Sequence, residues 1–78
     1  MKCVIQRVLS ANVTVQDNII AQINRGMVVF AGILNDDNHL NIKKMAQKIC
    51  HLRIFSNSNG LFDCSVNDIL GDILVVSQ

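Results

Sequence analysis

The sequence contains no proline, no tryptophan, no tyrosine and no glutamate. Without proline, no turn of this chain can depend on a cis X-Pro peptide bond. Cysteine is scarce as well, and Cys3, Cys50 and Cys64 lie far apart without a C-x-x-C pair. An odd number of widely spaced cysteines argues against a disulfide framework and against a zinc site. We therefore expect three reduced thiols that pack as small hydrophobic side chains.

Strong charge and long hydrophobic runs are also missing. The formal net charge is +1, so no strong field points to nucleic acid or to an anionic membrane. Gln6 and Arg7 interrupt any signal-like apolar segment, and the longest apolar run, MVVFAGIL, is too short to span a bilayer. The 78 residues, half of them hydrophobic, are typical of one small globular domain. We expect a cytoplasmic protein without a membrane partner.

The first part of the chain predicts four strands. The segment 2–10 carries β-branched residues on both faces, as a central strand does. The segment 11–23 predicts a hairpin, because apolar and polar positions alternate before the tight-turn pair Asp17–Asn18. Gly26 is predicted to give the next turn a positive φ. The apolar run MVVFAGIL then reads as a buried strand.

One helix is predicted over about 39–51. Asp36, Asp37 and Asn38 precede it and are residue types that cap helix N-termini. A single apolar stripe follows at helical spacing, formed by Ile42, Met45, Ile49 and Leu52. Three further strands are predicted after the helix, in RIF, LFDCSV and DILVVSQ. The order β-β-β-β-α-β-β-β indicates an α+β domain, a mainly antiparallel sheet covered by one helix.

No motif of known chemistry is present, neither H-E-x-x-H nor G-x-x-x-x-G-K-[ST] nor G-x-S-x-G. We predict no metal site and no cofactor. Several charged residues have a structural interpretation beside a functional one. His39 and His51 are interpreted as surface or capping groups. Asp36 and Asp37 could cap the helix or bind a cation. The lysines could form a solvated helix face or contact phosphates: Lys43, Lys44 and Lys48.

Two features are harder to assign to structure alone. Arg7 lies in an otherwise apolar strand, and a buried guanidinium is costly unless it is paired. We therefore expect Arg7 to have a specific partner. Ser77 and Gln78 end the last strand with a hydroxyl and an amide, two hydrogen-bonding groups at the rim of a sheet. An ordinary strand end is the alternative interpretation of this pair.

Five stretches together resemble the N-terminal half of D-aminoacyl-tRNA deacylase. The most specific are RIF with its glycine-ended loop and the closing VVSQ, which in the family continues into Phe-Thr-Leu. The resemblance implies that residues 1–78 are the N-terminal portion of a single barrel-like domain, an incomplete family fold. A truncated gene product, a split gene and a part of a longer chain all fit. The five stretches, in the family's order, are IQRV at 5–8, NVTV at 12–15, GILNDD at 32–37, RIFSNSNG at 53–60 and ILVVSQ at 73–78.

The resemblance also implies a function. The family hydrolyses the ester that links a D-amino acid, or glycine, to the terminal adenosine of tRNA, which is a chiral proofreading reaction. It needs no cofactor, and the 2′-hydroxyl of the ribose is thought to assist. Ser77 and Gln78 match the family's catalytic and substrate-binding segment, and Arg7 matches a support of the pocket. The family enzyme is a homodimer, and a cis Gly-Pro motif from the other subunit excludes L-side chains.

The chain departs from this pattern in two ways. The threonine after the Ser-Gln pair and the Gly-Pro segment are both absent, and Leu61–Phe62–Asp63 stand where the family commonly has Lys-Met-Asn. Catalysis requires groups held within about half an ångström of productive geometry. The alternative to a deacylase is therefore a non-catalytic remnant, at most a structural or weak RNA-contacting module. We expect the isolated chain to be inactive and to self-associate.

Overall fold

The computed structural model describes residues 1–78. It contains seven strands and one helix, in the predicted order. The elements are β1 (Lys2–Val8), β2 (Ala11–Val15), β3 (Asn18–Ile23), β4 (Gly26–Gly32), α1 (His39–Cys50), β5 (Phe55–Ser56), β6 (Phe62–Cys64) and β7 (Asp72–Ser77). The helix has twelve residues and is too short to cross a membrane.

The middle of the largest sheet is β4, and not β1 as the sequence predicts. This sheet has the order β1-β4-β7, with β1 antiparallel and β7 parallel to β4. The first four residues of β4 are buried, whereas β1 is an outer strand with mostly exposed side chains. The physical reason lies in the polar side chains of β1. Lys2, Gln6 and Arg7 are tolerated at a sheet edge, while β4 contains no polar side chain.

Strands β2 and β3 form the predicted hairpin, but its turn lies one residue earlier than predicted. Gln16 (φ 50°) and Asp17 (φ 66°) both have positive φ. Two central residues with positive φ are typical of a type I′ turn, whose twist matches that of the two strands. Asn18 therefore begins β3 instead of completing the turn. A register shift between Val13 and Thr14 marks a bulge in the hairpin.

The molecule is a thin layer with open sheets. Three of the four strand pairings are antiparallel, as expected for the α+β class. The sheets do not close, so the barrel-like form expected from the sequence is not present in this chain. The molecule measures 42 × 36 × 15 Å and exposes 5836 Å². A compact monomer of this mass exposes about 4,700 Å². Much apolar surface therefore remains uncovered.

Helix α1 begins and ends at side-chain caps. Asn38 is the N-cap, and its side-chain oxygen accepts a hydrogen bond from the Asn41 backbone N–H at 2.9 Å. At the other end, His51 Nδ1 lies 2.7 Å from the Gln47 carbonyl oxygen. The predicted helix is thus confirmed to within one residue. Asp37, another predicted cap, instead binds the Met1 ammonium group at 2.8 Å.

The buried core lies between one face of the three-stranded sheet and the elements that cover it. Helix α1 contributes Ile49, the strand β5 contributes Phe55, and the turn after β6 contributes Val66. The sheet contributes alternate residues of β4, because successive side chains of a strand point to opposite faces. These residues are Met27, Val29 and Ala31. The three cysteines are free and half-buried.

The turn after β6 is held by a reciprocal pair of hydrogen bonds that predicts a pH dependence. The Ser65 backbone N–H donates to Asp68 Oδ2 at 2.9 Å, and the Asp68 N–H donates to Ser65 Oγ at 3.2 Å. The first of these bonds is the main cause that lowers the pKa of Asp68 below its ordinary value of 3.8. The bonds fix the turn that carries the buried Val66.

We expect this carboxylate to stabilise the fold only while it is ionised. Because its pKa is lower in the folded chain, its contribution is complete above the pKa of the unfolded chain and is lost as the pH falls through the folded-state value. The variant Asp68→Asn should therefore unfold more easily near pH 7, and the difference should vanish near pH 2. Urea denaturation of both proteins across this range measures it. A difference that is constant with pH would contradict the assignment.

Candidate functional site

Ser77 and Gln78 lie at the exposed end of β7. Ser77 is paired with Ala31 in β4, and the Gln78 backbone N–H donates to the Ala31 carbonyl oxygen at 3.0 Å. This bond continues the ladder of β7 by one residue, so the backbone that carries both side chains is fixed. Both side chains remain exposed. A hydroxyl and a primary amide are thereby carried by two consecutive residues at the rim of the sheet.

An apolar cavity of about 250 Å³ adjoins this rim. It lies between helix α1 and the three-stranded sheet. Ala31 and Val75, the cross-strand partner and the same-face neighbour of Ser77, both line it. Every lining side chain is hydrophobic: Met1, Cys3, Val29, Ala31, Ile42, Ala46, Ile49, Cys50, Ile73 and Val75. This end of the sheet therefore combines an apolar surface with two hydrogen-bonding groups.

The structure does not bring Arg7 to Ser77 and Gln78. Arg7 lies in the row of Met27 and Ile73, on the far side of β4 from Ser77. Ile73 and Ser77 are four residues apart along β7, which corresponds to about 13 Å at roughly 3.3 Å per residue. In this chain Arg7 and the Ser77–Gln78 pair therefore lie at different places on the sheet. The role of Arg7 as a pocket support stays a prediction.

Arg7 has a specific partner, as the sequence predicts, and this partner lies in the segment after helix α1 and not near Ser77. Its Nη1 donates to the Ile54 carbonyl oxygen at 3.1 Å, and its guanidinium carbon lies 4.4 Å from the centre of the Phe62 ring. The side chain is exposed, because β1 is an outer strand. Because the Arg7 guanidinium is exposed, the fold does not bear the free-energy cost of burying an unpaired charge at this position. The hydrogen bond and the ring hold the side chain in position.

Arg7 shares a second, larger cavity with Arg25, a residue that the sequence interpretation missed. This cavity, of about 560 Å³, is lined by Ile5, Gln6, Arg7, Val8, Leu9, Arg25, Phe55 and Ser56. Arg25 follows β3 in the turn before β4, and its guanidinium carbon lies 5.8 Å from the centre of the Phe55 ring. Only the pairing of β1 with β4 places the two arginines together. No local sequence pattern indicates it.

The other charged candidates have structural roles or exposed positions. His51 closes helix α1, as described above, and His39 is its exposed first residue. Asp37 accepts from the Met1 ammonium group and from the Leu34 backbone N–H, the two hydrogen bonds that contribute most to lowering its pKa. The helix lysines Lys43, Lys44 and Lys48 are exposed on the solvent side of α1.

Comparisons with known proteins match the whole chain. A family model described as D-Tyr-tRNA(Tyr) deacylase matches residues 4–78. D-aminoacyl-tRNA deacylases from Dictyoglomus turgidum and Petrotoga mobilis are each 49% identical over all 78 residues, which cover 50% and 52% of those proteins. A solved structure named c-Myc DNA Unwinding Element Binding Protein superposes with a TM-score of 0.96 at 42% identity, over 100% of this chain and 53% of that one. The chain thus spans about half the length of these relatives.

Proposed function

The chain belongs to the D-Tyr-tRNA(Tyr) deacylase family, and from this premise we propose that it supplies one half of an enzyme that hydrolyses D-aminoacyl-tRNA or glycyl-tRNA. The observation that supports this proposal most directly is the match of residues 4–78, which includes the Ser77–Gln78 pair at the end of β7. In this proposal the complete enzyme acts in the cytoplasm as a homodimer. The missing half closes the open sheets into a barrel-like domain.

The proposed reaction is the hydrolysis of an ester. A water oxygen forms a bond to the ester carbonyl carbon, and the carbonyl oxygen becomes negatively charged. The bond between that carbon and the ribose oxygen then breaks, and the ribose oxygen leaves with a proton. The products are the free amino acid and tRNA with its terminal ribose hydroxyl restored. No cofactor takes part in this reaction.

Ser77 and Gln78 are suited to stabilise the charge that develops on the carbonyl oxygen. Both carry hydrogen-bond donors, an O–H and an N–H₂ group, on backbone that the Ala31 carbonyl holds in place. Donors fixed in advance stabilise an oxyanion more strongly than mobile water does. A nucleophilic role of the Ser77 hydroxyl would need an adjacent base. The two histidines instead lie at the ends of α1, and neither lines the cavity beside Ser77.

The apolar cavity beside Ser77 offers space for the terminal adenosine or the amino-acid side chain. Its rim is open at β7, where no further strand lies in this chain. In the proposed enzyme, the second half of the domain and the partner subunit complete the pocket there. Selectivity against L-amino acids is then a property of those added parts, because the two donors of this chain bind the ester group common to both enantiomers.

A chimera tests this proposal. Residues 1–78 replace the corresponding first half of the Dictyoglomus turgidum relative, and hydrolysis of D-tyrosyl-tRNA and L-tyrosyl-tRNA is measured. We expect turnover of the D-substrate only. Gln78→Ala in the chimera should lower kcat by about 100- to 1,000-fold, the usual effect of removing one oxyanion donor. The matched control is Gln47→Ala, an exposed helix glutamine, which should leave kcat unchanged.

The outcomes separate the enzyme from the non-catalytic alternative. A chimera that folds, as judged by circular dichroism, but does not hydrolyse D-tyrosyl-tRNA would favour the remnant or RNA-contacting module. The chain alone should show only background hydrolysis, because it lacks half of the proposed pocket. Robust turnover by the chain alone would refute the requirement for a second half.

A further inference from the structure

The cavity shared by Arg7 and Arg25 has an unusual balance of charge. Two guanidinium groups and the neutral polar side chains of Gln6 and Ser56 line it, and no carboxylate does. The two ion pairs of the chain lie elsewhere, between Met1 and Asp37 and between Arg53 and Asp63. Neither guanidinium group at this cavity forms an ion pair within the chain, although the whole chain has a net charge of only +1.

Both arginines are held in place from within the chain. A guanidinium group has five N–H donors, and Arg7 uses one of them for the Ile54 carbonyl oxygen. The ring of Phe62 lies against its face at 4.4 Å, and Phe55 lies 5.8 Å from the Arg25 guanidinium carbon. Cation–π contacts of this kind restrict the side chain without using its N–H groups. The remaining donors are available to a ligand.

Planar, fixed guanidinium groups bind phosphate oxygens in pairs of parallel hydrogen bonds, more specifically than lysine does. The cavity is also open, and its volume of about 560 Å³ is in the range of sites that hold a nucleotide-sized group. Its exposed apolar side chain Leu9 provides surface against which a base or ribose can pack. These features fit a phosphate attached to a nucleoside better than a free carboxylate.

We propose that Arg7 and Arg25 form a phosphate-binding cleft that holds a backbone phosphodiester of the single-stranded RNA end, apart from the Ser77–Gln78 pair. This inference rests on the proposed function, which supplies the RNA. The cleft lies about 13 Å along the strand direction from the row of Ser77 and two strands away. A short single strand can contact both places at once. The cleft thus positions the RNA, and the β7 rim contacts the ester.

The salt dependence of RNA binding tests the cleft. The probe is a fluorescent single-stranded RNA of eight nucleotides that ends in adenosine, measured by anisotropy with residues 1–78 and with the chimera. Each phosphate contact on a single strand contributes a slope of about 0.7 to the plot of log affinity against log salt. Arg25→Gln should lower the slope by about that amount and weaken binding about threefold to tenfold. Arg25 is chosen because its guanidinium makes no hydrogen bond within the chain, unlike that of Arg7.

The control is Arg53→Gln, which removes the same charge from an exposed arginine already paired with Asp63. It should leave the slope unchanged, and equal effects of the two substitutions would overturn the proposal. Inorganic phosphate should compete with the RNA for the cleft. For a DNA strand of the same sequence, Arg25→Gln should reduce the salt-dependence slope by the same amount as for RNA, because the contact is to phosphate. RNA binding that phosphate does not weaken would also contradict the cleft.

Hydrolysis by the chimera separates this inference from the proposed function. In an active chimera, Arg25→Gln should raise KM about threefold to tenfold and leave kcat unchanged, because the cleft does not touch the ester. An active chimera with an unchanged KM would leave the deacylase intact and refute the cleft. An inactive chimera whose RNA affinity still depends on Arg25 would support the cleft and refute the deacylase.

Discussion

Replacing Gly26 with alanine is expected to disrupt the central sheet. Gly26 is the first residue of β4 and lies between Val8 of β1 and Asp72 of β7. A Cβ atom at this position would overlap the Asp72 carbonyl oxygen and lie 2.7 Å from two further backbone atoms of Asp72. A backbone at that distance cannot move aside as a flexible side chain does. Relief therefore requires that the start of β7 separate from β4.

The expected loss exceeds that of ordinary overpacking, which costs about 1–3 kcal/mol. We expect Gly26→Ala to lower the free energy of unfolding by about 3 kcal/mol or more, a large part of the roughly 4–12 kcal/mol usual for a chain of this length. Urea denaturation followed by circular dichroism measures the change. Gly32→Ala is the matched control at the other end of β4, because its Cβ would meet only the Lys2 carbonyl oxygen at 3.6 Å, an ordinary contact. Equal stability of the two variants would contradict this account.

At micromolar concentration, the chain alone is expected to self-associate through β7. This strand is one edge of the sheet, so its outer N–H and C=O groups are unpaired. Between Asp72 and Ser77 it contains only Ile, Leu and Val, and Val75 is 62% exposed. The other edge, β1, carries Lys2, Gln6 and Arg7, which discourage strand pairing. The net charge of +1 provides little repulsion between copies.

Val75→Lys should prevent this association, because a charged side chain would have to be buried in the new pairing. We expect the dissociation constant to rise at least about tenfold, equivalent to about 1.4 kcal/mol. Sedimentation velocity over a range of concentrations gives the constant for each variant. Leu40→Lys is the matched control, since Leu40 is 58% exposed but lies on α1. Association that persists in Val75→Lys, or that disappears equally in Leu40→Lys, would show that β7 is not the contact.

Local features of the fold are the ones that the sequence predicts well. Helix α1 follows from an apolar stripe and a cap that lie within a few residues of one another, and Asn38 acts as that cap. The hairpin strands follow from alternation of apolar and polar residues, the other strands follow from short runs of apolar and β-branched residues, and a loop ended by Gly60 follows from its residue types. Gly60 does have positive φ, at 78°. These signals are readable because each depends on neighbouring residues only.

Features that depend on distant residues are the ones that the sequence does not predict. The prediction that Gly26 adopts positive φ is wrong, and the reason for a glycine at this position is the close approach of the Asp72 backbone. The central position of β4 and the meeting of Arg7 with Arg25 follow from strand pairing, which no local pattern records. Ser77 and Gln78 could be placed at a sheet rim from the strand pattern. The chemical role proposed for them came from family resemblance alone.

The parallel pairing of β4 with β7 has a consequence for how the chain acquires its fold during synthesis. Asn24, just before β4, binds the side chain of Asp72, 48 residues later in the sequence. At about 5–20 residues per second, β7 leaves the ribosome about 2–10 s after β4. Throughout this interval one edge of β4 has no neighbouring strand, and its apolar side chains are only partly covered. Contacts of long sequence separation also form slowly. The nascent chain is therefore exposed to aggregation for seconds, and a chaperone that binds β4 during this time should raise the yield of folded protein.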